Sequence, residues 1–123
     1  MGYMRHHAII VSSWDNHSIE LAHAKAVEIG MQVSNIVDSM INDYRSFFVA
    51  PDGSKEGWDD SNTGDERRNT FVTWMLAEQS KNGGPRFGKR TRMPEVFLDW
   101  IEVQYADDNW VSEIVRYSNQ DLR

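Results

Sequence analysis

The apolar positions of this 123-residue chain change their period several times, and each change marks an element. Ile9, Ile10 and Val11 form a short β-branched run within residues 6–14, which predicts a strand with a central place in a sheet. Asp15 and Asn16 follow as candidate helix N-caps. Ile19, Ala22, Ala26 and Ile29 then recur at spacings of three and four, a single apolar stripe, and Gly30 supplies the stop.

Residues 32–53 read as a β-hairpin. Asn42-Asp43 is its tight turn, and Pro51-Asp52-Gly53 ends its second strand. A second helix is expected to open on Thr63 with Glu66 three residues on, a pairing that satisfies two orphan backbone donors at a helix end. Arg67, Phe71, Trp74 and Glu78 would share one side of it, with Met75 adjoining, and residues 81–85 would terminate it. Residues 97–105 alternate, Ile101, Val103 and Tyr105 against Trp100, Glu102 and Gln104. A turn at residues 106–109 returns the chain as a last strand. The order is β-α-β-β-α-β-β. This predicts an α+β fold, an antiparallel β-sheet carrying two helices, in one domain spanning 1–123 with a frayed end at 119–123.

Composition narrows the class of protein. An apolar fraction of 40% is enough to build a core. The chain has no cysteine, which removes disulfides and thiol chemistry and agrees with a reducing cytoplasm. No apolar run approaches the roughly 18 residues of a membrane span, and no secretory signal pattern opens the chain. The expectation is a soluble cytoplasmic protein. A net charge of −6 argues against wholesale nucleic-acid binding, yet Arg86, Lys89, Arg90 and Arg92 crowd into seven residues. Such a cluster suits either solvent or a phosphorylated ligand.

Catalytic and metal-binding patterns are not evident. His6 and His7 are neighbours on a strand and point to opposite faces, while His17 and His23 lack the spacing of helical zinc ligands. The acidic stretch from Asp52 to Asp65 does not match a calcium loop, and phosphate-loop, dinucleotide and nucleophile-elbow signatures are missing. The expectation is no metal, no cofactor and no enzyme activity. Binding chemistry is better represented. Trp14 or Phe87 would stack on a base, and Arg67, Arg68, Arg90, Arg92 and Arg116 would meet phosphates, the first two as an anion site near the second helix's start. The aromatic content also points to a shared surface between copies of the chain.

The stretches HHAIIVSSWD, YRSFFVAPDGSKEGW and WIEVQYADD together resemble a family of phage anti-defence sponge proteins that block the bacterial Thoeris system. The resemblance implies non-catalytic sequestration of a cyclic ADP-ribose isomer in the host cytoplasm. It also implies recessed pockets at a homodimer interface and further assembly into hexamers, with the loop at residues 51–64 as a wall or lid. The stretch NGGPRFGKRTRMPEVF departs from that likeness, which puts the identity of the captured signal in doubt. Three alternatives stay open: a small nucleotide-processing hydrolase, a nucleic-acid-binding domain, and a phage inhibitor that binds a host protein.

Overall fold

A computed structural model describes residues 6–53, 59–81, 96–105 and 112–118. Five strands, β1 (His6–Ser13), β2 (Val37–Asp38), β3 (Arg45–Val49), β4 (Asp99–Tyr105) and β5 (Glu113–Tyr117), form a sheet in the order β2-β3-β1-β4-β5. Every pairing is antiparallel. Two helices, α1 (Asn16–Ile29) and α2 (Asp59–Lys81), complete the α+β architecture. The β-branched run of β1 does occupy the centre of the sheet, where both its edges are paired.

Helix α1 begins and ends as its sequence dictates. The Asp15 carboxylate accepts hydrogen bonds from the Ser18 backbone N–H at 3.1 Å and from the Ser18 hydroxyl at 2.6 Å. Gly30 closes the helix at φ 100°, a left-handed backbone that a side chain would strain, and its N–H returns to the last turn. Ile19, Ala22 and Ala26 are fully buried, and Ile29 packs at the margin of the core. In the β2–β3 hairpin, Asn42 and Asp43 both take positive φ, as the last two residues of the four-residue connection 40–43. Ser39 N–H bonds the Tyr44 carbonyl across it at 2.8 Å.

Both helices lie on one face of the sheet. Ile9, Val11, Phe47, Val49 and Trp100 project from that face and pack with Ile19, Ala22 and Ala26 of α1 and Phe71, Val72 and Met75 of α2. Full burial of side chains such as Ile9, Ile19 and Phe71 contributes about 1.5–3 kcal/mol each. The register Ile9↔Val49, Val11↔Phe47 and Val11↔Trp100 sets these residues side by side.

Helix α2 departs from the sequence reading. It starts at Asp59, so Thr63 and Glu66 form no cap; Thr63 lies inside the helix and donates its hydroxyl to the Asp59 carbonyl at 3.2 Å. Of the side expected to carry Arg67, Phe71, Trp74 and Glu78, Phe71 is buried and Trp74 packs against the core. The buried positions are Gly64, Arg68, Phe71, Val72 and Met75, while Arg67 is exposed. The polar stretch after β3 is therefore largely helix. The segment at residues 54–58, with Trp58, lies outside the described residues, as do the 106–109 turn and the 119–123 end.

Candidate functional site

Strand β4 turns its polar residues inward. Glu102 and Gln104 lie on the buried face with Trp100, and Glu102 is among the most buried side chains of the protein. A carboxylate stays charged there only with close partners. Arg116 of β5, its register partner, supplies two, with Nε donating to Oε1 and Nη2 to the same oxygen, both at 2.6 Å. Arg68 of α2 brings its Nε within 3.7 Å of Oε2, and His7 of β1 sets Nδ1 3.6 Å from that oxygen. Burial, the largest influence, pushes the Glu102 carboxyl up. The facing His7 and the positive charge of Arg116 together pull it down further, so it lies below its ordinary value.

Arg68 links this buried cluster to a cleft. One of its terminal nitrogens, Nη2, is held by Asp65 one turn earlier in α2. The other, Nη1, lies 3.5 Å from where a Cβ on Gly64 would sit, beside the Asp52 carboxylate that takes that place. This cleft has a volume of about 430 Å³, within the range of small-molecule sites. Its walls come from the segment after α1, the end of β3 with the turn that follows, and one face of α2.

The cleft joins unlike chemistries. Met31, Val49 and Ala50 give it an apolar wall, while Thr63, Asp52, Arg67 and Arg68 line it with polar groups. Asp52 leans over Gly64 so closely that its carboxylate occupies the place of a Cβ there. The Arg67 guanidinium lies flat against Gly30, 3.7 Å from that residue's would-be Cβ, and Nη1 makes one long bond of 3.4 Å to the Gly30 carbonyl. A guanidinium carries five N–H donors, so this bond leaves most of them for a ligand.

Of the seven residues nominated from sequence, the structure brings two into the cleft, Arg67 and Arg68. They do not sit at the start of α2, because the helix opens two turns earlier; they meet on the wall of a cleft instead. Arg116 is engaged by Glu102 and by the Asn69 side chain, whose Oδ1 is 2.8 Å from Nη1. Trp14 stands at the opposite end of α1 from Gly30, about 20 Å away at the rise of a helix, with its ring against Phe97 at 5.0 Å. It is not part of the cleft. Phe87, Arg90 and Arg92 lie outside the described residues.

Sequence reasoning missed Asp52, Gly64 and Glu102. Glycine inside a helix is a usable signal, since it costs about 1 kcal/mol relative to alanine and therefore asks for a reason. Among the described residues, no group of three histidines or carboxylates could hold a metal ion. No helix among them is long and apolar enough to cross a membrane. No family model matches the chain, and no curated protein or solved structure is significantly similar to it.

Proposed function

We propose that the protein captures a small phosphorylated nucleotide in the Arg67–Arg68 cleft and holds it unchanged. The specific candidate is a cyclic ADP-ribose isomer, removed from a bacterial anti-phage signalling pathway. The observation that carries this reading is the exposed Arg67 guanidinium on the cleft wall beside Arg68. Two guanidinium groups suit the oxygens of a diphosphate. The Asp52 carboxylate would accept a ribose hydroxyl, and Met31 with Val49 would take the face of the base. Tight retention lowers the free signal and needs no chemical step.

Capture followed by heat release tests the proposal. Protein mixed with cyclic ADP-ribose isomers is washed and denatured, and the supernatant is read by mass spectrometry. The expected result is an intact cyclic nucleotide near one per chain. A cleaved product accumulating beyond the protein concentration would instead establish the hydrolase, and an empty supernatant would remove cyclic ADP-ribose isomers as the ligand.

A further inference from the structure

The charges around the Arg67–Arg68 cleft cancel. Arg68 is held at Nη2 by Asp65, and its Nε faces Glu102, which Arg116 grips from β5. Two arginines and two carboxylates thus neutralise one another behind the cleft wall. Of the charged residues that line the cleft itself, this leaves Arg67 and Asp52, one of each sign. A pocket that takes phosphates indiscriminately focuses an excess of positive charge. This one does not.

Asp52 is placed to be felt by a ligand. It stands on the turn after β3, is itself exposed, and reaches across to the buried Gly64 of α2. There its carboxylate fills the space that a side chain on the helix would take, with Arg68 Nη1 bordering the same spot. A phosphate that bridged Arg67 and Arg68 would therefore lie beside a fixed negative charge. The cost of that neighbour grows with the charge on the phosphate. A phosphate within a diphosphate bridge carries a single negative charge, whereas a terminal phosphate carries about −1.5 to −2 at neutral pH. Ligand hydroxyls, by contrast, are donors that a carboxylate accepts.

We infer that Asp52 is a charge-selecting residue: it admits nucleotides whose phosphates are all bridged between two sugars, and turns away those that end in a free phosphate. The inference rests on the reading of the cleft as a nucleotide site and narrows the class that the site takes. Discrimination of this kind comes from a like charge set against the wrong ligand as much as from contacts to the right one. Mononucleotides such as ADP share the base and one ribose with the bridged class. The apolar wall of Met31 and Val49 serves both alike, so the choice falls to the carboxylate.

Asp52→Asn tests this, because it removes the charge and keeps the shape and one acceptor oxygen. Calorimetric titrations of the full chain compare cyclic ADP-ribose isomers, whose two phosphates are bridged, with ADP and inorganic pyrophosphate. The unmodified protein should bind the bridged ligand at least about tenfold more tightly than ADP, and Asp52→Asn should close that gap by strengthening ADP and pyrophosphate. The gain should shrink as salt is raised and vanish when Arg67→Ala is added. Asp43→Asn changes the net charge of −6 by the same amount at the β2–β3 turn, and should leave the gap as it was. An unchanged ratio of bridged ligand to ADP in Asp52→Asn would overturn the inference and keep the nucleotide site. Pyrophosphate binding that emerges in Asp52→Asn while no nucleotide binds either protein would keep Asp52 as the charge selector and remove the nucleotide. Absence of binding by all three compounds to both proteins would overturn both.

Discussion

The Arg116 guanidinium lies across the Glu102 carboxylate with two nitrogens at 2.6 Å, and so holds a charge inside a two-layer protein. Glu102 in turn faces Arg68, whose other end borders the cleft. A buried ion cluster thus ties β4 and β5 to α2 and fixes the inner wall of the candidate site.

Removing the centre of this cluster should be costly. Glu102→Ala leaves Arg68 and Arg116 without their shared carboxylate, and breaking a buried pair in this way costs about 3 kcal/mol or more. Urea unfolding measures it. A loss below about 1 kcal/mol would mean that the cluster is solvated and does not tie the elements together.

The same group sets an acid limit. Its carboxyl is held below the ordinary value, so the folded state binds its proton less readily than the unfolded chain. The stability it contributes is complete above the ordinary glutamate range, near pH ~4.3, and is lost as pH falls through the lower folded value. Thermal melts from neutral pH downward should show this drop, and Glu102→Gln should flatten it. An unchanged acid profile in that variant would assign the drop to other carboxylates.

Gly64 should behave against helix propensity. Glycine to alanine inside a helix ordinarily stabilises by about 1 kcal/mol. Here the added methyl meets the Asp52 carboxylate, so Gly64→Ala should lose that gain and narrow the cleft. Combining it with Asp52→Ala should restore stability, a coupling that a double-mutant cycle reads directly. Additive effects would show that Asp52 turns aside at no cost.

Asp15→Ala tests the best-signalled helix start. The loss of two hydrogen bonds to Ser18 should cost about 1 kcal/mol in a denaturant melt. A neutral result would indicate that Ser13, whose hydroxyl accepts the Asp15 N–H at 3.0 Å, already fixes the entry of the chain.

What the sequence made legible was local. The β-branched run of β1, the Asp15 and Gly30 boundaries, and the Asn42-Asp43 turn depend on residues close in the chain, and each is found where its pattern places it. The start of α2 was hidden because its first turn, Asp59 to Asn62, carries no apolar periodicity. Alternation in β4 correctly separated Ile101 from Glu102, but could not say which face is inside. That choice rests on Arg116 and Arg68, both distant in sequence. For the site, arginine chemistry nominated Arg67 and Arg68, but their partners across the cleft come from the ends of other elements. Trp14 was nominated by its place after a strand, and that place is at the wrong end of α1.

The most direct measurement is a calorimetric titration of cyclic ADP-ribose isomers into the unmodified protein and into Arg67→Ala. Arg67 is exposed, so its removal should leave the melting temperature nearly unchanged. The account predicts saturable binding near one ligand per chain, weakened at least about tenfold in the variant, as expected for the loss of a charge-assisted contact. Equal affinity in the two proteins, or no binding to either, would contradict it.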